Sequence, residues 1–259
     1  MAIQRCLVAV PARLQSSRLP NKLLADIGGK PMIRRVLDHC RESSEVDAVI
    51  LCTDSQELRQ HAIDWGFPVL MTANSCSSGS ERIASVADKL IAAAWGAPSP
   101  VPDQTGIINV QGDQPFIESN IIDDVATNLR RLDPTTAVVT PIYSLKPETI
   151  HDPNVVKVLL AHDGRALYFS RSAIPHVRNV DRSEWYLHTT FWGHVGIYGF
   201  RGDVLVNWNH LPVSPLEGLE RLEQLRLIEA GHTIATFKVQ GNFLSVDTAE
   251  QLEQARAIV

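Results

Sequence analysis

Cysteine is sparse in this chain and poorly placed for bonding chemistry. Cys6, Cys40, Cys52 and Cys76 are scattered, with no Cys-x-x-Cys pair among them. That spacing gives neither a zinc ligand set nor a disulfide framework, so four reduced, buried thiols are expected. Long hydrophobic runs are missing too. No apolar stretch approaches the ~20 residues that span a bilayer. The N-terminal MAIQRCLVAVPAR has an apolar run of about five residues that leads into a basic loop, which is not the plan of a secretory signal. The expectation is a soluble, cytoplasmic protein with no membrane partner. Positive charge is not in excess either. The formal net charge is −5, which argues against nucleic acid as a partner. Both common phosphate fingerprints are absent: there is no G-x-x-x-x-G-K-[ST] and no G-x-G-x-x-G after the first strand, which argues against a P-loop ATPase and a dinucleotide enzyme. No internal repeat or low-complexity tract occurs.

What is present is a chain of 259 residues, 44% hydrophobic and 20% charged. That supports one large domain, or one with a modest subdomain. Strand and helix signals alternate through the first half. CLVAV (6–10), AVILCT (48–53), PVLM (68–71), GIINVQGD (106–113) and TAVVTPIY (136–143) read as strands. MIRRVLDHC (32–40), SQELRQHAIDWG (55–66, capped by Ser55 and stopped by Gly66), SERIASVADKLIAAAW (80–95) and IIDDVATNLRRL (121–132) read as helices. GAPSPVPDQT (96–105) reads as a surface loop. The alternation is that of an α/β fold with a mostly parallel sheet flanked by helices. The second half changes character. NVVKVLLA (154–161), ALYFSRSAIP (166–175) and HVGIYGF (194–200) read as a more antiparallel layer. NVDRSEWYLHTTFWG (179–193) has no clean period and is expected to be a mobile or interface loop. SPLEGLERLEQLRLIEAG (214–231) reads as one helix, TIATFKV (233–239) as a strand and TAEQLEQARAIV (248–259) as a closing helix.

Charge is unevenly spread. Residues 1–35 carry seven of the 24 Lys and Arg but only one of the 29 Asp and Glu, Asp26. A local cationic site in an acidic chain fits a small anionic ligand. Arg13, Arg18 and Lys22 follow the first strand, where α/β sheets bind ligands. Two guanidinium forks and an ammonium suit a triphosphate; the plainer reading is a solvated basic loop. In NVQGDQP (109–115), Asp113 at a strand end can help coordinate Mg²⁺, which takes one or two carboxylates plus phosphate oxygens and water. In FLSVDTAEQL (243–252), Asp247 ends a short strand before a helix, and Asp247 or Thr248 could equally cap that helix. In SSGSERIA (77–84), Gly79 permits close backbone approach, and Ser78, Ser80 and Arg82 offer hydrogen bonds to a base or phosphate. Ser80 as a helix start is the alternative.

Nine motifs fall in order along the chain: P-A-R-L-Q-S-S-R-L-P-N-K, G-G-K-P-M-I, S-G-S-E-R, V-Q-G-D-Q-P, D-P-N-V-V-K-V, A-L-Y-F-S-R-S-A-I-P, H-V-G-I-Y-G-F, L-E-Q-L-R and V-D-T-A-E-Q-L. Together they resemble the 3-deoxy-manno-octulosonate cytidylyltransferase (CMP-Kdo synthetase) family over essentially the whole chain. The resemblance implies a nucleotide-diphospho-sugar-transferase-like α/β fold with an added antiparallel sugar-binding and dimerisation layer. It implies one cytidylyltransferase domain, with 1–145 mainly binding CTP, 146–232 binding the sugar acid and dimerising, and 233–259 returning to the main sheet. The implied reaction is CTP + Kdo → CMP-Kdo + pyrophosphate, dependent on Mg²⁺, run by a homodimer for lipopolysaccharide or a related surface glycan. By resemblance, Pro11, Ala12, Arg13, Arg18 and Lys22 form the triphosphate loop. Ser78, Gly79 and Arg82 match the cytidine stretch, and Asp113 and Asp247 the metal acids. Arg13, Lys22 and Asp113 carry the reaction. Gln111, Arg171, His194, Glu217, Glu220 and Gln224 are the sugar-acid candidates.

Three positions depart from the family pattern. Asn21 stands where glycine is common, but asparagine tolerates left-handed backbone. Gln114 stands where glutamate is frequent, which removes a negative charge beside Asp113 and bears on the acceptor used. Ser80 replaces a common threonine. An 8-amino-Kdo, a sialic acid or a methylerythritol phosphate as acceptor remains an alternative, as does a CTP-binding regulator without turnover. Later motifs of the sialic-acid and methylerythritol enzymes are not recognised in 150–226, and the presence of both aspartates argues against the regulator.

Overall fold

The computed structural model describes residues 2–16, 19–95, 101–133, 135–241 and 243–259. In chain order the strands are β1 (Arg5–Ala12), β2 (Asp26–Ile27), β3 (Lys30–Pro31), β4 (Ala48–Thr53), β5 (Val69–Met71), β6 (Thr105–Val110), β7 (Thr136–Ser144), β8 (Lys157–Leu160), β9 (Ala166–Ser170), β10 (Trp192–His194), β11 (Ile197–Arg201) and β12 (Thr233–Lys238). The α-helices are α1 (Met32–Arg41), α2 (Gln56–Asp64), α3 (Gly79–Ala84), α4 (Ala87–Trp95), α5 (Ser119–Arg131), α6 (Gly202–Val206), α7 (Pro215–Glu220), α8 (Leu225–Glu229) and α9 (Ala249–Ala257). The chain divides into two compact units.

The first unit takes residues 1–131, 197–209 and 241–259. Its strands run in the order β5-β4-β1-β6-β11. The first four are parallel, with Val8 opposite Val49 and Ile108, and β11 closes antiparallel on β6. Every residue of β6 and all of β1 but Arg5 is buried, as expected of strands covered on both faces. α1 buries Met32, Ile33, Val36, Leu37 and Cys40, one stripe at helical spacing. α5 does the same with Ile121, Ile122, Val125, Ala126 and Leu129. Ser55 caps α2 by accepting from Leu58 N–H, and Gly66 ends it at φ 78°. The four cysteines are buried free thiols, and burial pushes Cys6 up to about 11 and Cys52 up to about 12.

The second unit takes residues 132–196 and 210–240. Its strand order is β12-β7-β10-β8-β9, antiparallel throughout except that β12 runs parallel to β7. A separate apolar cluster of Leu145, Ile150, Trp185 and Phe191 supports it.

Several sequence expectations change. Residues 80–95 form two helices because the Ser85 hydroxyl takes the Arg82 carbonyl (2.7 Å) and breaks the ladder. Residues 214–231 also form two helices: Arg221 turns left-handed (φ 55°) after α7. The halves fold together as Arg226 meets Glu217 at 2.6 Å and Glu229 accepts from Ser214 and Leu216 N–H. Residues 179–193, expected as a mobile or interface loop, contain a turn of helix. Asp181 caps a 3-10 helix (Arg182–Leu187) that buries Trp185, and its three-residue period matches neither helix nor strand templates. Residues 194–200 split. His194 ends β10, while the wholly buried Ile197–Arg201 joins the first unit beside β6. Residues 96–100 of the expected loop lie outside the described residues, and 102–104 form a 3-10 turn.

Lys157, fully buried at the start of β8, donates to the carbonyls of Asp152 (2.7 Å), Val155 (2.5 Å) and Arg171 (2.5 Å). Three acceptors use all three N–H bonds of an ammonium. Lys157→Met orphans them, at roughly 1–3 kcal/mol for a buried acceptor left without a donor. We expect Tm to fall by about 5–10 °C in a thermal melt; an unchanged Tm contradicts this role.

Candidate active site

The site lies at the carboxyl ends of the first unit's parallel strands. β1 ends in buried Pro11 and Ala12, and the next residue, Arg13, is exposed. Arg13, Leu14, Gln15, Ser16, Pro20 and Asn21 line an open concavity. Arg18 lies outside the described residues. Asn21 takes the left-handed conformation (φ 55°) anticipated for it and turns the chain into a short 3-10 helix, Lys22–Leu24. Buried Leu23 anchors that helix, so the neighbouring Lys22 is aimed by packing.

Two further loops meet Lys22. β6 stops at Val110, earlier than expected, and the chain turns through Gln111 and Gly112 to Asp113. A Cβ on Gly112 would sit 2.9 Å from Ile33 Cδ1 and 3.4 Å from the Pro11 carbonyl, so this turn lies close against α1 and the end of β1. Asp247 lies in irregular chain just before α9, not in a strand. Thr248 caps that helix and Gln251 completes the capping box. Gln251 Oε1 also accepts from the Asp247 N–H at 2.8 Å, and Val246 N–H donates to the Asp113 carbonyl at 2.9 Å. The helix cap therefore falls to Thr248, which leaves the Asp247 carboxylate pointed elsewhere.

Lys22 Nζ lies 2.7 Å from Asp113 Oδ2, 2.7 Å from Asp247 Oδ1 and 3.2 Å from the Val246 carbonyl. Burial alone would lower the ammonium's pKa, but Asp113 and then Asp247 outweigh it and hold it above the ordinary lysine value. One positive and two negative charges leave this cluster with a net negative charge. Both carboxylates meet the one ammonium, and two carboxylates so placed could hold Mg²⁺ if phosphate oxygens completed its shell. Among the described residues no group of three or more His, Cys, Asp and Glu could hold a metal on its own. An ion here would need oxygens from a substrate.

The stretch 77–84 abuts the same strand ends. A Cβ on Gly79 would lie 3.0 Å from the Gln111 amide and 3.2 Å from Pro11 Cγ, so Pro11, Gly79 and Gln111 converge. Gln111 Nε2 donates to Asn109 Oδ1 at 3.1 Å, and Asn109 Nδ2 donates to Ser80 Oγ at 3.3 Å. Ser78, not Ser80, caps α3. Arg82 is 3% exposed and turned inward, with NH2 2.8 Å from Asp54 Oδ2 and NH1 on Thr72. Its guanidinium thus ties β4's exit to the chain after β5 and positions α3. Sequence reading missed Asp54, Thr72 and Asn109. Asn109 had a signal, as the polar residue inside an apolar strand; Thr72 had none.

In the second unit the structure joins Arg171 and Glu220. The Glu220 carboxylate accepts from Arg171 N–H (2.9 Å) and Ser170 Oγ (2.6 Å), and Arg171 Nε donates to the Glu220 carbonyl at 2.8 Å. The other candidates have different company. Glu217 pairs with Arg226, and Gln224 is buried at the start of α8. His194 packs edge-on against Phe169 and meets Thr140 Oγ1 at 2.8 Å; burial pushes its pKa down to about 3, so the imidazole is neutral.

A family model described as cytidylyltransferase matches residues 7–234. The chain is 39% identical over 250 residues to the 3-deoxy-manno-octulosonate cytidylyltransferase of Porphyromonas gingivalis, covering 96% of this chain and 94% of that one. It is 39% identical over 254 residues to the enzyme of the same name from Francisella tularensis subsp. novicida, covering 97% of each. A solved CMP:2-keto-3-deoxy-manno-octonic acid synthetase complexed with CTP superposes with TM-score 0.86 at 37% identity, covering 98% of both chains. A cytidylyltransferase from Leptospira borgpetersenii, 13% identical with TM-score 0.61 and coverage of 98% and 85%, shares the fold alone.

Proposed function

The chain belongs to the cytidylyltransferase family, and from that premise we propose that it transfers the cytidylyl group of CTP to 3-deoxy-D-manno-octulosonate, releasing pyrophosphate. The observation that carries this reading is the convergence of Asp113 and Asp247 on one cation beside the loop that bears Arg13. The names of the full-length relatives and the CTP-complexed neighbour supply the nucleotide and the acceptor.

The sugar's anomeric hydroxyl attacks the α-phosphorus of CTP. The new C–O–P bond forms as the bond to pyrophosphate breaks. Both reactants are anions, so the chain must supply positive charge and hold the reacting atoms in line. Arg13, exposed at the exit of β1, can fork onto phosphate oxygens and stabilise the leaving pyrophosphate. Pro11, Gly79 and Gln111 form the close-packed floor against which a cytosine ring would lie. Asp113 and Asp247 would hold Mg²⁺. When bound, it neutralises phosphate charge and lowers the pKa of the attacking hydroxyl. Within the second unit, Arg171, held by Glu220, is the candidate for an acidic ligand's carboxylate. Neutral His194 can offer that acceptor a hydrogen bond but not an ion pair. We place the reaction in the cytoplasm, with its product feeding lipopolysaccharide or a related surface glycan, and the protein as a homodimer. The dimer reading rests on Tyr186, Leu187, Val213 and Leu219, apolar side chains between 46% and 93% exposed in the second unit.

Pyrophosphate release from CTP and Mg²⁺ with a panel of sugar acids tests the function: Kdo, its 8-amino analogue and a sialic acid. Kdo should be the preferred acceptor. Asp113→Asn and Asp247→Asn should each lower turnover by roughly 10²–10³. Release independent of both aspartates, or no release with any acceptor, overturns the reading. Sedimentation velocity should give a dimer that Leu187→Glu dissociates; a wild-type monomer removes the assembly from the account.

A further inference from the structure

Lys22 is engaged in a way that binding a phosphate does not require. Its ammonium has an acceptor for each N–H bond within the chain: Asp113 Oδ2, Asp247 Oδ1 and the Val246 carbonyl. Its side chain is 12% exposed. The two carboxylates are not brought together by Lys22 alone. The hydrogen bond from Val246 N–H to the Asp113 carbonyl and the α9 capping box fix their loops independently. Two anions are thus held at short range by the backbone, and the ammonium fills the space between them.

That space is the one a divalent ion would use. Mg²⁺ binds carboxylate oxygens at about 2.0–2.1 Å, inside the 2.7 Å at which Nζ already sits from both. An ammonium and a divalent cation cannot share it, because like charges at such separations repel strongly. The lysine can leave without disturbing the fold. It is carried on four rotatable methylenes, and Leu23 rather than Lys22 anchors the 3-10 turn. A destination for the ammonium is the concavity lined by Arg13, Pro20 and Asn21, the last of which directly precedes Lys22 in the chain.

We propose that Lys22 is the built-in cation of the Asp113–Asp247 pair, excluding a divalent ion until nucleotide phosphates draw the ammonium away. This rests on the function proposed above and adds an order to it. Metal and nucleotide enter as one coupled event. The nucleotide raises the affinity for metal, and by linkage the metal raises the affinity for nucleotide by the same factor. The protein alone is spared metal at its acidic pair, and its two carboxylates are never left unpaired.

Mn²⁺ uptake, read from the electron paramagnetic resonance signal of the free ion, tests this without turnover. Three proteins are compared without nucleotide: wild type, Lys22→Met and the double variant Lys22→Met/Asp113→Asn. Lys22→Met should bind Mn²⁺ about ten-fold or more tighter than wild type, within the usual range of such couplings, and the double variant should lose that gain. Mn²⁺ should also raise the Tm of Lys22→Met more than that of wild type. Wild type given CTP should gain Mn²⁺ affinity beyond what CTP takes up by itself. Equal Mn²⁺ affinity in wild type and Lys22→Met overturns the proposal, as does a gain that survives in the double variant. If Lys22→Met does not fold, wild type decides: Mn²⁺ bound as tightly without CTP as with it is the contrary result. Turnover by wild type alongside such a result would leave the proposed function standing and remove only the role of Lys22. Failure of turnover would remove the function while the protein-alone comparison still decides the role of Lys22.

Discussion

Two carboxylates held side by side by their backbones repel each other, and this chain offsets that repulsion with an ammonium between them. Asp113 and Asp247 stand 134 positions apart in sequence, yet each has an oxygen 2.7 Å from Lys22 Nζ. Much of the first unit serves that arrangement. β1 delivers the basic loop, β6 delivers the turn that carries Asp113, and the α9 cap delivers Asp247. Each depends on a local device: a left-handed Asn21, a glycine low on α1 and a capping box.

The devices work because the parallel strands give them a rigid base. β1 and β6 are buried almost end to end and pair in register from Arg5 opposite Thr105. Their carboxyl ends therefore emerge side by side, the usual place for ligands in open α/β sheets. Polar residues buried beneath continue the same order. Asn109 links Gln111 to Ser80, and Arg82 links Asp54 to Thr72. These contacts hold the floor of the site while Arg13 and the concavity beside it face solvent.

Much of this was legible from the amino acids. Strands buried on both faces are apolar throughout, so their alternation with amphipathic helices could be read directly, and an acid or a base just past such a strand stood out. The partners were not legible. Nothing local to Lys22 says that its ammonium meets two acids, because that contact depends on where α9 returns. Arg82 looked like a ligand for a base or phosphate, but its partners Asp54 and Thr72 come from elements whose placement only the folded sheet defines. The helix breaks were hidden for other reasons. Ser85 acts through its hydroxyl and Arg221 through a left-handed backbone, and neither disturbs the apolar period around it. The 3-10 turn at 182–187 escaped because its period is three.

The most direct test of the central claim is where a metal goes once a nucleotide is present. Crystals grown with CTP and Mn²⁺ and measured at the manganese absorption edge would place it without reliance on any assay. The account predicts an anomalous peak roughly 2 Å from an oxygen of Asp113 and an oxygen of Asp247, shared with phosphate, with Lys22 Nζ moved onto the phosphate chain. A peak bound to phosphate alone, with Lys22 still seated between the two aspartates, would contradict it.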